Sequence, residues 1–140
     1  MRTPLIAGNW KMYKTVDQAI DLVKALLDGL GTLPGREVVV CPPYTALYPV
    51  ASLLAGTPIG LGAQDVFYEP QGAYTSAISP LMLRDIGCQY VIVGHSERNQ
   101  ISTAHRWVAP RSKQIAFCAL STIGKCESLL VTALMAVNQE

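Results

Sequence analysis

The sequence has few charged residues, few aromatic residues and no long apolar run. Charged side chains make up 15% of the 140 residues and aromatic ones 7%, while half of all residues are apolar. Eleven basic residues against ten acidic ones leave a formal charge of +1, which removes the electrostatic argument for a nucleic-acid or acidic-surface partner. The composition is typical of one globular domain with a buried core. The charge balance is compatible with a small neutral or anionic ligand.

Three further absences narrow the class of protein. The start of the chain, Met1–Ile6, lacks the apolar stretch of a signal peptide, and no run approaches the length of a membrane span. We therefore expect a cytoplasmic protein without a membrane partner. There is no C-x-x-C pair among the four cysteines, which are Cys41, Cys88, Cys118 and Cys126. Wide spacing and apolar neighbours favour buried, reduced thiols and no metal site.

Short apolar runs alternate with helical patterns along the first hundred residues. The predicted strands are Leu5–Gly8, Val38–Cys41, Ile59–Ala63 and Tyr90–Val93. Because these runs are continuously apolar, they indicate strands covered on both faces, and the helices between them make the sheet parallel. The sequence therefore predicts an α/β fold.

The predicted helices carry recognisable start and stop signals. Apolar residues recur with a period near 3.6 from Val16 to Leu30, after a capping box of Thr15 and Gln18 and before Gly31. A second helix is predicted over Leu47–Leu54, where Pro49 is tolerable only in the first turn. A third begins with Ser79 as N-cap and Pro80 at the first helical position, and ends at Gly87. Beyond Asn99 the pattern blurs, although Ile115–Leu120 is a candidate fifth strand.

Polar residues follow the first and fourth predicted strands, where a parallel sheet places its functional loops. Asn9-Trp10-Lys11 follows the first strand; taken alone, a lysine there is more often a solvated surface charge. His95 follows the fourth strand, with Gly94 before it and Ser96-Glu97 after it. A histidine in that place fits a satisfied loop residue, but the cap-like Ser-Glu pair favours a helix start and a functional role.

Four short segments stand out for their order and spacing. They are Ala7–Met12, Gly72–Thr75, Ile78–Pro80 with Asp85–Gly87, and Val91–Arg98. Together they resemble the signatures of the triosephosphate isomerase family over residues 1 to about 98, with residues 99–140 as a divergent tail. The resemblance implies a parallel (β/α) barrel, here an incomplete one of about five strands.

The resemblance also implies an activity. The family interconverts dihydroxyacetone phosphate and glyceraldehyde 3-phosphate in glycolysis and gluconeogenesis, through an enediolate and without a cofactor. Asn9 and Lys11 match the substrate-binding asparagine and lysine, and the lysine also neutralises charge that develops in the reaction. His95 matches the catalytic histidine, a neutral electrophile that polarises the carbonyl.

Three more positions match supporting residues of the family. Ser96 and the amides after it would keep the imidazole uncharged, and Glu97 matches a carboxylate beside the lysine. Thr75 matches the residue that the family inserts towards its partner's active site in the homodimer. The family usually has Gly-Glu after this threonine, whereas Ser76-Ala77 follow here, which places a homodimer in doubt.

The family's remaining catalytic parts do not occur in these residues. Its base is a glutamate in a Tyr-Glu-Pro-Val-Trp segment, followed by a closing lid and two glycine-rich phosphate loops, and none of them is found among the 140 residues. We therefore expect a truncated homologue that is inactive alone. Two alternatives stay open: a non-catalytic half-barrel that self-associates or binds a full-length relative, and a general phosphate-binding α/β module.

Overall fold

The computed structural model describes residues 3–30, 34–93 and 95. The predicted helix stop at Gly31, the residues Ser96 and Glu97, and the tail over residues 99–140 lie outside this part. The candidate fifth strand, Ile115–Leu120, lies outside it as well.

Four parallel strands form one sheet in the order of the chain. They are β1 Leu5–Asn9, β2 Glu37–Cys41, β3 Ile59–Ala63 and β4 Tyr90–Val91. Asn9 pairs with Cys41 at the end of β1, and Ala63 pairs with Val91 at the end of β3. The parallel α/β prediction is confirmed. A sheet that grows by one strand at each step, always in the same direction, is half of a barrel wall.

Helix α1, Val16–Leu30, begins and packs as its sequence predicts. The Gln18 side chain accepts a hydrogen bond from the Thr15 backbone N–H at 3.0 Å, which is one half of the capping box. Ala19 and Val23 are fully buried, so the apolar stripe faces the core.

Helix α2, Tyr44–Leu54, begins three residues earlier than predicted. Pro49 therefore lies inside the helix and not in its first turn, which corrects the prediction. Because proline has no N–H, the carbonyl of Thr45 loses its helical partner. Burial of one face offsets that loss, and the buried residues of this face are Ala46, Leu47, Val50 and Leu54.

Helix α3, Pro80–Asp85, has the predicted signals at both ends. The Ser79 side chain accepts a hydrogen bond from the Met82 backbone N–H at 3.2 Å. Gly87 adopts a φ of 85°, a conformation that other residues rarely take. None of the helices in the described ranges is long and apolar enough to cross a membrane.

Both faces of the sheet hold buried apolar residues. The face beneath the helices contains the larger cluster, which includes Val40, Leu47, Leu61, Leu83 and Val91. The opposite face is the interior of the half-barrel, and its buried residues are Ala7, Val39, Cys41 and Ile92. On this interior face a Cβ at Gly62 would lie 2.6 Å from the Cys41 Sγ, so the glycine makes room for the thiol.

Candidate functional site

One side chain ties together the carboxyl ends of the first three strands. Gln64 directly follows β3, and its Nε2 donates to the carbonyl of Lys11 at 2.8 Å and to that of Cys41 at 2.9 Å. Both partners are acceptors, so the amide group must present its two N–H bonds to them. Gln64 was not among the site residues predicted from the sequence. The signal was there, because it is a polar residue directly after an apolar strand, as Asn9 is.

Lys11 adopts an unfavourable backbone conformation at this junction. Its φ is 53°, in the left-handed region that costs a residue with a Cβ about 1–3 kcal/mol. The Asn9 Oδ1 accepts a hydrogen bond from the Lys11 N–H at 2.9 Å, while Gln64 holds the Lys11 carbonyl. The peptide groups on both sides of Lys11 are therefore anchored by side chains.

The side-chain carbonyl of Asn9 already accepts a hydrogen bond within the protein. Because Oδ1 accepts from Lys11, any hydrogen bond that Asn9 gives to a ligand comes from its Nδ2 group. Trp10 continues the junction, since its backbone N–H donates to the Cys41 carbonyl at 3.1 Å. The structure thus brings together Asn9 and Lys11, two of the predicted site residues.

His95 follows β4, which lies at the opposite edge of the described sheet from β1. It is 7% exposed and follows the buried run of Val91 to Val93. Strands β2 and β3 separate β1 from β4. We expect Lys11 and His95 to face one shared cleft if the four strands curve as they do in a barrel.

The long loop after β3 is held by its own contacts. The Phe67 N–H donates to the Ile78 carbonyl at 2.8 Å and closes the base of the loop. The Phe67 and Tyr74 rings lie 4.6 Å apart, and a Cβ at Gly72 would come within 2.5 Å of the Tyr74 ring. Thr75 follows this aromatic pair and is exposed.

The two described cysteines are buried and unreactive. Cys41 and Cys88 are free thiols, and burial raises the pKa of each to about 12, with the neighbouring Cys88 adding to the effect on Cys41. The prediction of buried, reduced thiols is confirmed for these two, while Cys118 and Cys126 lie outside the described residues. In the described part of the chain, no three His, Cys, Asp or Glu side chains form a group that could hold a metal ion.

The structure has the features of the (β/α)-barrel class of proteins. Its four strands are parallel and follow the order of the chain, its helices lie on the outer face of the sheet, and polar residues lie at the carboxyl ends of the strands. A family model described as "Triosephosphate isomerase" matches residues 4–126, which extends beyond the motifs that end near residue 98. The chain belongs to the triosephosphate isomerase family.

Individual relatives agree with this assignment. The chain is 68% identical over 101 residues to a triosephosphate isomerase of Roseiflexus sp. (strain RS-1), and 65% identical over 100 residues to that of Chloroflexus aurantiacus. Each match covers just over 70% of this chain and 40% of the relative, so the chain spans less than half the length of these curated relatives. It also resembles the crystal structure of triosephosphate isomerase from Bartonella henselae, with a TM-score of 0.70 and 33% identity over 88% of this chain and 48% of that one.

Proposed function

We propose that this chain carries the carbonyl-polarising and charge-neutralising half of a triosephosphate isomerase site. The supporting observation is the anchored, left-handed Lys11 at the end of β1. A left-handed conformation alone does not mark a functional lysine, because the exposed Lys14 has a φ of 79° as well. A lysine that only solvates the surface needs no pair of side-chain hydrogen bonds to hold its backbone, whereas Lys11 has such a pair. Strain that side-chain contacts hold in place is characteristic of residues whose position matters for function.

The proposed roles follow from the charges and burial of the three described residues. The Lys11 ammonium neutralises the substrate phosphate and the negative charge that develops on the enediolate oxygen. His95, which is buried, polarises the substrate carbonyl in surroundings where a hydrogen bond is stronger than in water. Asn9 donates to the substrate from Nδ2. For Ser96 and Glu97 we keep the roles that the resemblance implies, a cap that keeps the imidazole neutral and a carboxylate beside Lys11.

We further propose that these 140 residues alone do not turn over substrate. The sequence holds no Tyr-Glu-Pro-Val-Trp segment, so no positioned carboxylate removes the carbon-bound proton. It also holds no glycine-rich phosphate loop, which leaves Lys11 as the main cation for the phosphate. A closing lid that excludes water from the enediolate is missing from these residues as well.

Two measurements on the purified chain test both parts of the proposal. Conversion of glyceraldehyde 3-phosphate should stay far below about 10 per second, the median for enzymes, at every protein concentration. Glycerol 3-phosphate should bind weakly, and Lys11→Ala should weaken its binding further.

The matched control is Lys14→Ala. Lys14 is exposed, lies three residues away and shares the left-handed conformation, with a φ of 79°. We expect this variant to bind glycerol 3-phosphate like the parent chain. Equal losses in the two variants would reduce Lys11 to a general surface charge, and turnover within about a hundredfold of 10 per second would refute the proposed inactivity.

One observation favours a second candidate, a non-catalytic half-barrel that associates with a second copy or with a full-length relative. β1 lies at one edge of the described sheet, and its Ile6 is 52% exposed. An edge strand with an exposed apolar side chain is a template for pairing with another chain. The family-type homodimer through Thr75 is the competing mode, and Ser76-Ala77 in place of Gly-Glu weakens it.

A further inference from the structure

We infer that Gln64 is a positioning residue that holds Lys11 in its left-handed conformation and so sets the place of the ammonium group. The functional consequence rests on the proposed role of Lys11 in binding phosphate. That Gln64 holds the backbone of Lys11 is argued from the two hydrogen bonds of its side chain and does not depend on that role.

The amide group of Gln64 is fully used in hydrogen bonds to two backbone carbonyls. Both hydrogens of its amide are used, one on the Lys11 carbonyl at 2.8 Å and one on the Cys41 carbonyl at 2.9 Å. Cys41 is the last residue of β2 and is fully buried, so its carbonyl is a fixed reference point. Gln64 itself follows the buried residue Ala63 at the end of β3. Through Gln64, the Lys11 carbonyl is therefore connected to the ends of β2 and β3, which are neighbouring strands of the sheet.

The other side of Lys11 does not supply the same restraint. Asn9 is only two residues away in the chain, so its bond to the Lys11 N–H is local and moves with the turn. Gln64 acts from 53 residues away. If the carbonyl were released, the residue could rotate to negative φ, which is lower in energy for a lysine. The direction of its Cβ would change, and the ammonium at the end of the four-carbon chain would move with it.

The test compares Gln64→Met with Gln71→Met in the 140-residue chain. Methionine has nearly the length and volume of glutamine but no N–H donor, and Gln71 is an exposed loop residue that receives the same chemical change. The three-bond HN–Hα coupling and the ¹³Cα chemical shift of Lys11 report its φ. Titration with glycerol 3-phosphate reports the affinity of the folded chain.

In Gln64→Met we expect the Lys11 signals to move towards negative φ and the affinity to fall by up to about fivefold, the range of a solvent-exposed ion pair. Gln71→Met should change neither. In a Lys11→Ala background, Gln64→Met should have no further effect on affinity, because there is no ammonium left to position. A residue that only stabilises the fold would lower the unfolding midpoint and leave both Lys11 signals and affinity unchanged.

The outcomes separate this inference from the proposed function. If Lys11→Ala lowers the affinity but Gln64→Met leaves the Lys11 backbone signals in place, the positioning role is wrong and the function stands. If Gln64→Met shifts the Lys11 backbone but Lys11→Ala leaves the affinity unchanged, Gln64 positions Lys11 and the proposed function fails.

A second variant covers the case in which Gln64→Met does not fold. Glycine adopts a φ of 53° without strain. If Gln64 holds a strained Lys11, then Lys11→Gly should restore folding in the Gln64→Met background and raise its unfolding midpoint. An unfolded double variant would show that Gln64 serves only to join the strand ends, which would overturn the inference.

Discussion

At the scale of single residues, Lys11, Cys41 and Gln64 form one connected unit at the carboxyl ends of three strands. Gln64 donates to both of the other residues, and the buried Cys41 provides the rigid member. The strained conformation of Lys11 is therefore stabilised by tertiary contacts, since an isolated turn of the same sequence would relax to negative φ.

The buried thiols lead to a pH prediction. Folding raises the pKa of Cys41 and Cys88 from 9.0 to about 12, so the folded state binds their protons more tightly than the unfolded state does. Their contribution to stability is complete below pH 9 and is lost as the pH rises towards 12. We expect the free energy of unfolding to fall above pH 9 by up to about 1.4 kcal/mol per pH unit for each thiol.

Urea unfolding of the parent chain and of a Cys41→Ala/Cys88→Ala variant at several pH values between 8 and 11 checks this prediction. Tyrosine and lysine side chains also titrate in this range, so the quantity to compare is the difference between the two slopes. The variant should have the shallower slope. Equal slopes would show that the thiols do not govern alkaline stability.

At the scale of elements, the short helix α3 depends on its cap. Ser79 is 6% exposed and accepts from the Met82 N–H, so Ser79→Ala removes the acceptor for a helix-start donor. We expect a loss of about 1 kcal/mol in the free energy of unfolding. Ser79→Asn keeps an acceptor at that position and should recover part of the loss.

The control for this helix is Ser52→Ala. Ser52 is exposed within α2, and its hydroxyl donates to the Tyr48 carbonyl four residues earlier, a bond that adds little to a helix. Urea unfolding should therefore find Ser52→Ala within about 0.5 kcal/mol of the parent. A cost at Ser52 as large as that at Ser79 would contradict the capping argument.

At the scale of the whole molecule, the two proposed modes of association can be separated. Ile6 is 52% exposed on the edge strand β1, whereas Thr75 is exposed in the long loop after β3. If the half-barrel associates through its edge, Ile6→Lys should lower the mass measured by light scattering and Thr75→Lys should not. The reverse result would favour a family-type dimer, and circular dichroism should show that both variants fold.

The sequence by itself determined most of the elements and their direction. β3 has the predicted bounds, and α3 has the predicted N-cap at Ser79 and the predicted glycine stop at Gly87, because strand runs, N-caps and glycine stops are local signals. The start of α2 was predicted wrongly. Pro49 argues locally against a helix there, whereas the packing of Ala46, Leu47, Val50 and Leu54 against the core outweighs the lost backbone bond.

Of the candidate site, the sequence motifs predict Asn9, Lys11 and His95. Only the tertiary structure decided how Lys11 is held. Gln64 lies 53 residues from Lys11 and 23 from Cys41 in the chain, and the three meet because β1, β2 and β3 are neighbours in a parallel sheet. A backbone conformation with a φ of 53° is unfavourable for lysine in any local context. It exists here because contacts between distant strand ends, which no local pattern encodes, supply the stabilising hydrogen bonds.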